Sequence, residues 1–300
     1  MSKSHWSKRK ERGASWGLSF MLTMYKLMGP RVTAWFLYPV IGYFYLTSKQ
    51  SKQASRDYLA RISPHQQLSS FKHFMCFGHA ALDKVSVWCG LINQQHLKSY
   101  GNADVLKMLE RGQGGVFLCA HLGNIEICRA LSDVLPGLKI NALVFTKNAV
   151  KFNNMLAKIA PTANLNLIQL DNVGPDTAIM LAEKIAAGEF IAIMADRTST
   201  QVPERSIGAP FLGETAYFPQ GPFILASLLK CPVFSLFCQR IDQHFEINAQ
   251  LLSPKLVLRR QQRQQDLAIA VGHYAEQLEI AARKTPYQWF NFFNFWQKTP

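Results

Sequence analysis

Residues 115–126 read GVFLCAHLGNIE. The first six of them form a short apolar run after Gly112, and that run ends abruptly at a histidine, a glycine and an asparagine. The pattern repeats downstream, in KINALVF (139–145), LNLIQL (165–170), FIAIMA (190–195), PVFSLFC (232–238) and FEINAQL (245–251). Runs of this length bounded by Gly, Pro and Asn read as strands, and the first four carry the apolar content of centrally buried ones. Amphipathic stretches lie between them. Gly174 to Gly188 places Pro175 at a helix start, Ala178, Leu181, Ala182 and Ile185 on one face, and Gly188 as a stop. A last helix near Asp266 to Lys284 repeats Leu267, Val271, Tyr274, Leu278 and Ala281. Strands alternating with helices predict an α/β fold: a mixed, mostly parallel sheet flanked by helices.

Upstream of Gly112 the pattern is helical. Phe71, Phe74, Met75, Gly78, Ala81, Leu82 and Val85 recur at three- and four-residue spacing. Earlier still, residues 17–47 are the most apolar part of the chain, divided by Lys26, Gly29, Pro30 and Arg31. The unbroken part falls short of the ~20 residues that span a bilayer. An interfacial or re-entrant anchor, with Trp35, Phe36 and Tyr38 at the lipid, is therefore expected; a single tilted span and a helix buried on the body of the protein are the competing readings. The expected organisation is 1–47 as a basic start and membrane-associating segment, 48–111 as a helical lead-in, and 112–300 as the α/β core.

A chain of 300 residues with 48% hydrophobic content supports a buried core. Its formal charge of +14 points to anionic partners: phospholipid, nucleic acid, or an acidic protein or substrate. The basic run KLVLRRQQRQQ (255–265) lacks interleaved aromatics and any nucleic-acid module, so it reads as a solvated or membrane-facing patch, with no nucleic acid expected. The six cysteines form no CxxC pair and several sit in apolar runs, which suits reduced, buried thiols. No cleavable secretory signal is evident after the basic start, so the core is expected in the cytosol.

The chemistry concentrates at HLGNIE. His121 falls where a buried strand opens into a loop, the edge at which open parallel sheets bind ligands. Glu126, little more than one helical turn away, is placed to fix the imidazole tautomer. A histidine held so is a suitable general base towards a hydroxyl that attacks a thioester. A capping histidine with a surface glutamate is the bland alternative. Among weaker signals, His73, His79 and Asp83 could be drawn as metal ligands, but only His79 and Asp83 have the i, i+4 spacing to face one another, no third ligand joins that pair at a convincing distance, and no metal is expected. Cys119 and Cys128 flank the motif, but a cysteine embedded in VFLCA reads more simply as core.

Five pieces in order carry a resemblance over most of the chain: HWSKRKERG near the start, AHLGNIE, MADR (194–197), PFLGETAYFPQGPFILA (210–226) and the tail PYQWFNFFNFW (286–296). Together they resemble the lysophospholipid acyltransferase superfamily, and within it the bacterial lipid A late acyltransferase branch. The resemblance implies a glycerolphosphate-acyltransferase-like fold and places the catalytic pair of an H-x4-D/E motif on His121 and Glu126. It implies direct transfer of an acyl group from acyl carrier protein or acyl-CoA to a hydroxyl or amine of a lipid or glycolipid, without a cofactor, at the cytoplasmic face of the bacterial inner membrane. Backbone amides near Gly123 and Asn124, with Arg197, are expected to stabilise the oxyanion. Asp196 and Arg197 end a second buried strand, where a purely structural contact between them is the alternative. GAPFLGETAYFPQG is read as a loop lining an acyl channel, with Phe211, Gly213 and Gly221 in it, and Lys147 and Arg205 as candidate carrier contacts. The tail departs from the better-known lipid A enzymes in its run WFNFFNFW, which with the start looks closer to members associated with aryl-polyene-type lipids. A thioesterase or lipid hydrolase using the same site, or a lipid-binding scaffold, are the rival functions.

Overall fold

Among the described residues, seven strands hydrogen-bond into one sheet in the order β1 (Leu97–Ser99), β9 (His244–Ser253), β8 (Val233–Ile241), β2 (Gly115–Gly123), β5 (Phe190–Met194), β3 (Ile140–Val144) and β4 (Leu165–Gln169). A computed structural model describes residues 15–99, 103–128, 135, 137–144, 165–169, 174–198 and 205–296. All pairings in this sheet are parallel except that of β8 with β9, and all six strand segments expected from sequence are present. Central position explains the apolar runs: Val116, Leu118, Phe190 and Ile191 are essentially inaccessible to water. Each such side chain contributes about 1.5–3 kcal/mol through burial.

Because side chains alternate across a strand, the sheet carries two cores. Val116, Leu118, Ala120 and Leu122 of β2 face one, with α2 (Lys49–Ile62), α5 (Pro175–Ala186), α6 (Gly221–Leu229) and α7 (Arg263–Lys284). Phe117 and Cys119 face the other, with α1 (Ser15–Thr47), α3 (Ser70–Trp88) and α4 (Ala103–Glu110). The lead-in helices thus share a core with the sheet. Ser69 caps α3 by accepting from the Lys72 N–H at 3.3 Å, the kind of cap worth about 1 kcal/mol. Pro175 starts α5, and Gly188, at φ +81°, turns the chain back after it.

The apolar N-terminal stretch is helical but broken at Gly29 (φ 76°). Tyr25, Leu37 and Ile41 are buried, and Ile41 lies so close to Gly78 of α3 that a Cβ there would sit 3.1 Å from it. The opposite side exposes Trp35, Phe36, Tyr38, Tyr43 and Leu46. No described helix is long and apolar enough to cross a membrane.

One expectation needs correction. GAPFLGETAYFPQG is not an open loop: β6 (Ser206–Phe211) and β7 (Glu214–Pro219) pair as an antiparallel hairpin. Leu212 (φ 53°) and Gly213 (φ 84°) form its two-residue turn, both left-handed as such turns require. Phe211 has no exposed surface and packs against Phe218, Trp289 and Phe295, so it belongs to the core and not to the wall of an open channel. Gly221 opens α6.

Candidate active site

The register of β2 against β5 builds the site. Cys119 pairs with Met194, so two residues further on, past the last ladder bond, His121 lies beside Asp196. The Ala195 N–H donates to the Cys119 carbonyl at 2.8 Å, which continues the alignment to that point. The His121 ring then meets Asp196 through Nδ1, 2.7 Å from Oδ1, while the His121 main-chain N–H donates to Oδ2 at 2.8 Å. Two further donors reach Oδ2: the Trp289 indole N–H at 3.0 Å and the Asn291 amide at 3.2 Å.

Asp196 is fully buried, and burial works to raise its carboxyl; His121, by charge and hydrogen bonding, and the charge of Arg197 outweigh that, and its pKa is lowered. An ionised carboxylate can only accept, so Nδ1 carries the proton and Nε2 is the basic nitrogen. Burial also lowers the pKa of His121; the negative charge of Asp196 opposes this, and the positive charges of Arg197 and, on α3, Lys84 add to it. The ring is therefore neutral at neutral pH, and 28% of the side chain remains accessible. Tyr274 of α7 donates to the Cys119 carbonyl at 2.7 Å just below. The Cys119 thiol is buried, with its pKa pushed well up by that burial, as a core cysteine.

Two sequence assignments change. The carboxylate on Nδ1 is Asp196, from the neighbouring strand, and not Glu126. Glu126 sits in a short 3-10 turn (Ile125–Ile127), buried, its N–H donating to the Asn124 side chain at 3.2 Å. The second change concerns the amides of Gly123 and Asn124. They donate to the carbonyls of Gln288 and Cys238, each at 2.8 Å, so they are engaged in the fold and do not form an oxyanion hole. Gly123 takes φ +67° with the Cys238 carbonyl so close that a Cβ would lie 1.8 Å from it. Only glycine fits there.

Arg197 donates from Nε to Asn291 Oδ1 at 2.9 Å and from Nη2 to the Phe290 carbonyl at 3.0 Å, beside the Asp196 and His121 pair. Arg205 is exposed at the foot of β6, and Lys147 lies outside the described residues. His73 and Asp83 have structural partners: His73 bonds the Ser55 hydroxyl and the Trp289 carbonyl, each at 2.9 Å, and Asp83 takes both carboxylate oxygens to Arg240 at 3.0 and 3.1 Å. A cavity of about 180 Å³ lies beside Asn124, lined also by His79, Asp83, Arg240 and Phe290.

Sequence reasoning missed the tail as a site element. After β5 ends, residues 288–290 run antiparallel to the end of β2, with the Gly123 N–H donating to the Gln288 carbonyl at 2.8 Å and the Phe290 N–H to the His121 carbonyl at 2.7 Å. The polar residues spaced through WFNFFNFW were the available signal, because an asparagine repeatedly set among buried aromatics needs a partner.

A neutral histidine backed by a buried carboxylate thus stands at the carboxyl edge of a mostly parallel sheet, the edge at which α/β enzymes place their ligands. The chain belongs to the bacterial lipid A biosynthesis acyltransferase family, whose family model matches residues 11–298. It is accordingly an acyltransferase, working between an acyl donor and a lipid acceptor. Comparison with curated proteins gives no match.

Proposed function

We propose that this enzyme transfers a fatty acyl group from a thioester, on acyl carrier protein or coenzyme A, to a hydroxyl or amine of a lipid A-like or related glycolipid acceptor, with His121 as general base. The observation that carries this reading is the 2.7 Å contact of His121 Nδ1 with Asp196, which leaves Nε2 basic. Nε2 takes the proton of the acceptor hydroxyl as its oxygen attacks the thioester carbonyl. The tetrahedral intermediate collapses with loss of the thiolate, which takes that proton back from the imidazolium. An acyl–oxygen bond replaces the acyl–sulfur bond, and the histidine is returned neutral.

With the Gly123 and Asn124 amides engaged, Arg197, whose guanidinium is held by Asn291 and the Phe290 carbonyl beside the Asp196 and His121 pair, is the cation placed to support the developing oxyanion. Exposed Trp35, Phe36 and Tyr38 support seating of α1 on a lipid surface, the cytoplasmic face of the inner membrane in a bacterium. The excess of basic residues favours the acidic carrier protein as donor.

The test is mass spectrometry of lipid extracts from cells lacking the protein, complemented with wild type or His121→Ala. Loss of one acylated lipid, restored by wild type alone, is the expected result and names the acceptor. Full restoration by His121→Ala would remove the base assignment and leave a scaffold. Free fatty acid as the product, independent of acceptor, would instead identify a hydrolase.

A further inference from the structure

We infer that the C-terminal tail is part of the catalytic apparatus, with Trp289 and Asn291 acting as positioning residues that hold the Asp196 carboxylate on His121. The inference rests on His121 being the base. Its ground is the unequal use of the two carboxylate oxygens. Oδ1 meets the His121 ring, whereas Oδ2 receives the His121 main-chain N–H, the Trp289 indole and the Asn291 amide at 2.8, 3.0 and 3.2 Å. Three donors on one oxygen fix both the rotation of the carboxylate and its charge, and such charge-assisted bonds are the strong ones. Two of the three come from the tail.

The tail is anchored so that these donors cannot drift. Trp289 is fully buried, its ring centroid 4.9–5.1 Å from those of Tyr58, Phe211 and Phe295. Its carbonyl bonds His73 at 2.9 Å. A phenylalanine would satisfy that aromatic packing, so the indole is explained by the one thing a phenyl ring lacks, an N–H aimed at a buried anion. Asn291 has a matching double role. Its Oδ1 accepts from Arg197 Nε at 2.9 Å while its amide nitrogen donates to Asp196, which sets the cation and the carboxylate of the site in one frame.

Removing a donor from Oδ2 leaves the Asp196 charge less dispersed and so raises the affinity of His121 for its second proton. A residue that merely fills the core would not move that titration. The full-length protein with isotopically labelled histidine therefore gives a readout independent of substrate: the pKa of His121 by NMR in wild type, Trp289→Phe, Asn291→Asp and Phe295→Leu. The His121 pKa is expected to rise by about half a unit or more in Trp289→Phe, and further in Asn291→Asp, which keeps the acceptor for Arg197 but sets a like charge against Asp196. Phe295→Leu, which loses packing against Trp289 without touching Asp196, is expected to melt earlier with the His121 titration unmoved.

In complemented cells, Trp289→Phe should lower the acylated lipid by about tenfold, the scale of one hydrogen bond to a charged group. Should either tail variant fold with the His121 titration of wild type, or should Phe295→Leu shift it equally, the tail is structural only. If instead His121→Ala restores the lipid, the base assignment falls while the titration still decides whether the tail positions Asp196.

Discussion

At the scale of single residues, the proposed chemistry turns on which atom of Asp196 faces which partner. Three N–H donors surround Oδ2, so an asparagine in its place is forced to put its carbonyl oxygen there and its amide nitrogen towards His121 Nδ1. That amide can only donate, which drives the imidazole proton to Nε2 and abolishes the base. Asp196→Asn is therefore expected to fold normally and to lose roughly 10³–10⁴-fold in kcat, the scale seen when a histidine base is trapped in the wrong tautomer, measured as acyl transfer by the purified protein. The pH dependence follows from the same pair. Burial lowers the His121 pKa below its usual value, so the basic form is complete at neutral pH and is lost only as pH falls through the lowered pKa. The acid limb of kcat/KM is expected below about 6.5, the ordinary histidine value; a limb above it would show that the ring is held protonated.

Elements were legible from sequence where the signal is local. All six strand segments and the helices near 175–186 and 263–284 announced themselves by apolar runs and periodicity. The hairpin of β6 and β7 did not, because Pro210, Pro219 and the glycines outweigh the alternation of buried Ile207, Ala209 and Phe211. The partner of His121 was misread for a similar reason. Spacing favours Glu126, five residues away, whereas Asp196 reaches the ring only through the register of two strands far apart in sequence, and the tail donors are more distant still. Glycines show how differently the elements tolerate change. Gly213 takes φ +84° with nothing within 4 Å of an added Cβ, so Gly213→Ala should cost only the strain of the turn, about 1 kcal/mol. Gly123→Ala adds a collision with the Cys238 carbonyl at 1.8 Å, where β2, β8 and the tail converge. It is expected to cost roughly 3 kcal/mol or more in urea unfolding and to uncouple the tail. Comparable losses for the two variants would contradict that account.

Across the whole molecule, the two faces of the sheet are closed by different parts of the chain, and the site lies where they meet. The basic residues of 255–263 follow β9, whose end at Ser253 pairs with Val233 at the start of β8, so they lie at the sheet edge away from His121 and are not substrate contacts there. Among the contacts that tie the lead-in helices to the sheet edge carrying His121, one can titrate: His73 joins α2 through Ser55 to the tail through the Trp289 carbonyl. A carbonyl only accepts, so Nε2 carries the proton and Nδ1 accepts from the Ser55 hydroxyl; both nitrogens are used by the neutral ring. Burial brings its pKa down to about 4, with the Trp289 carbonyl partly opposing. The unfolded chain binds this proton near 6.5, so His73 contributes its full stability above that pH and loses it progressively as pH falls towards 4. The loss amounts to roughly 3 kcal/mol by pH 4, and His121, whose pKa is also lowered, acts in the same direction. Urea unfolding at pH 7 and at pH 4.5 should therefore show a steep acid loss in wild type. His73→Gln, less stable at pH 7 but with nothing to protonate, should show a shallower one. Equal slopes in the two proteins would mean that His73 is not the proton-sensitive joint between lead-in and tail.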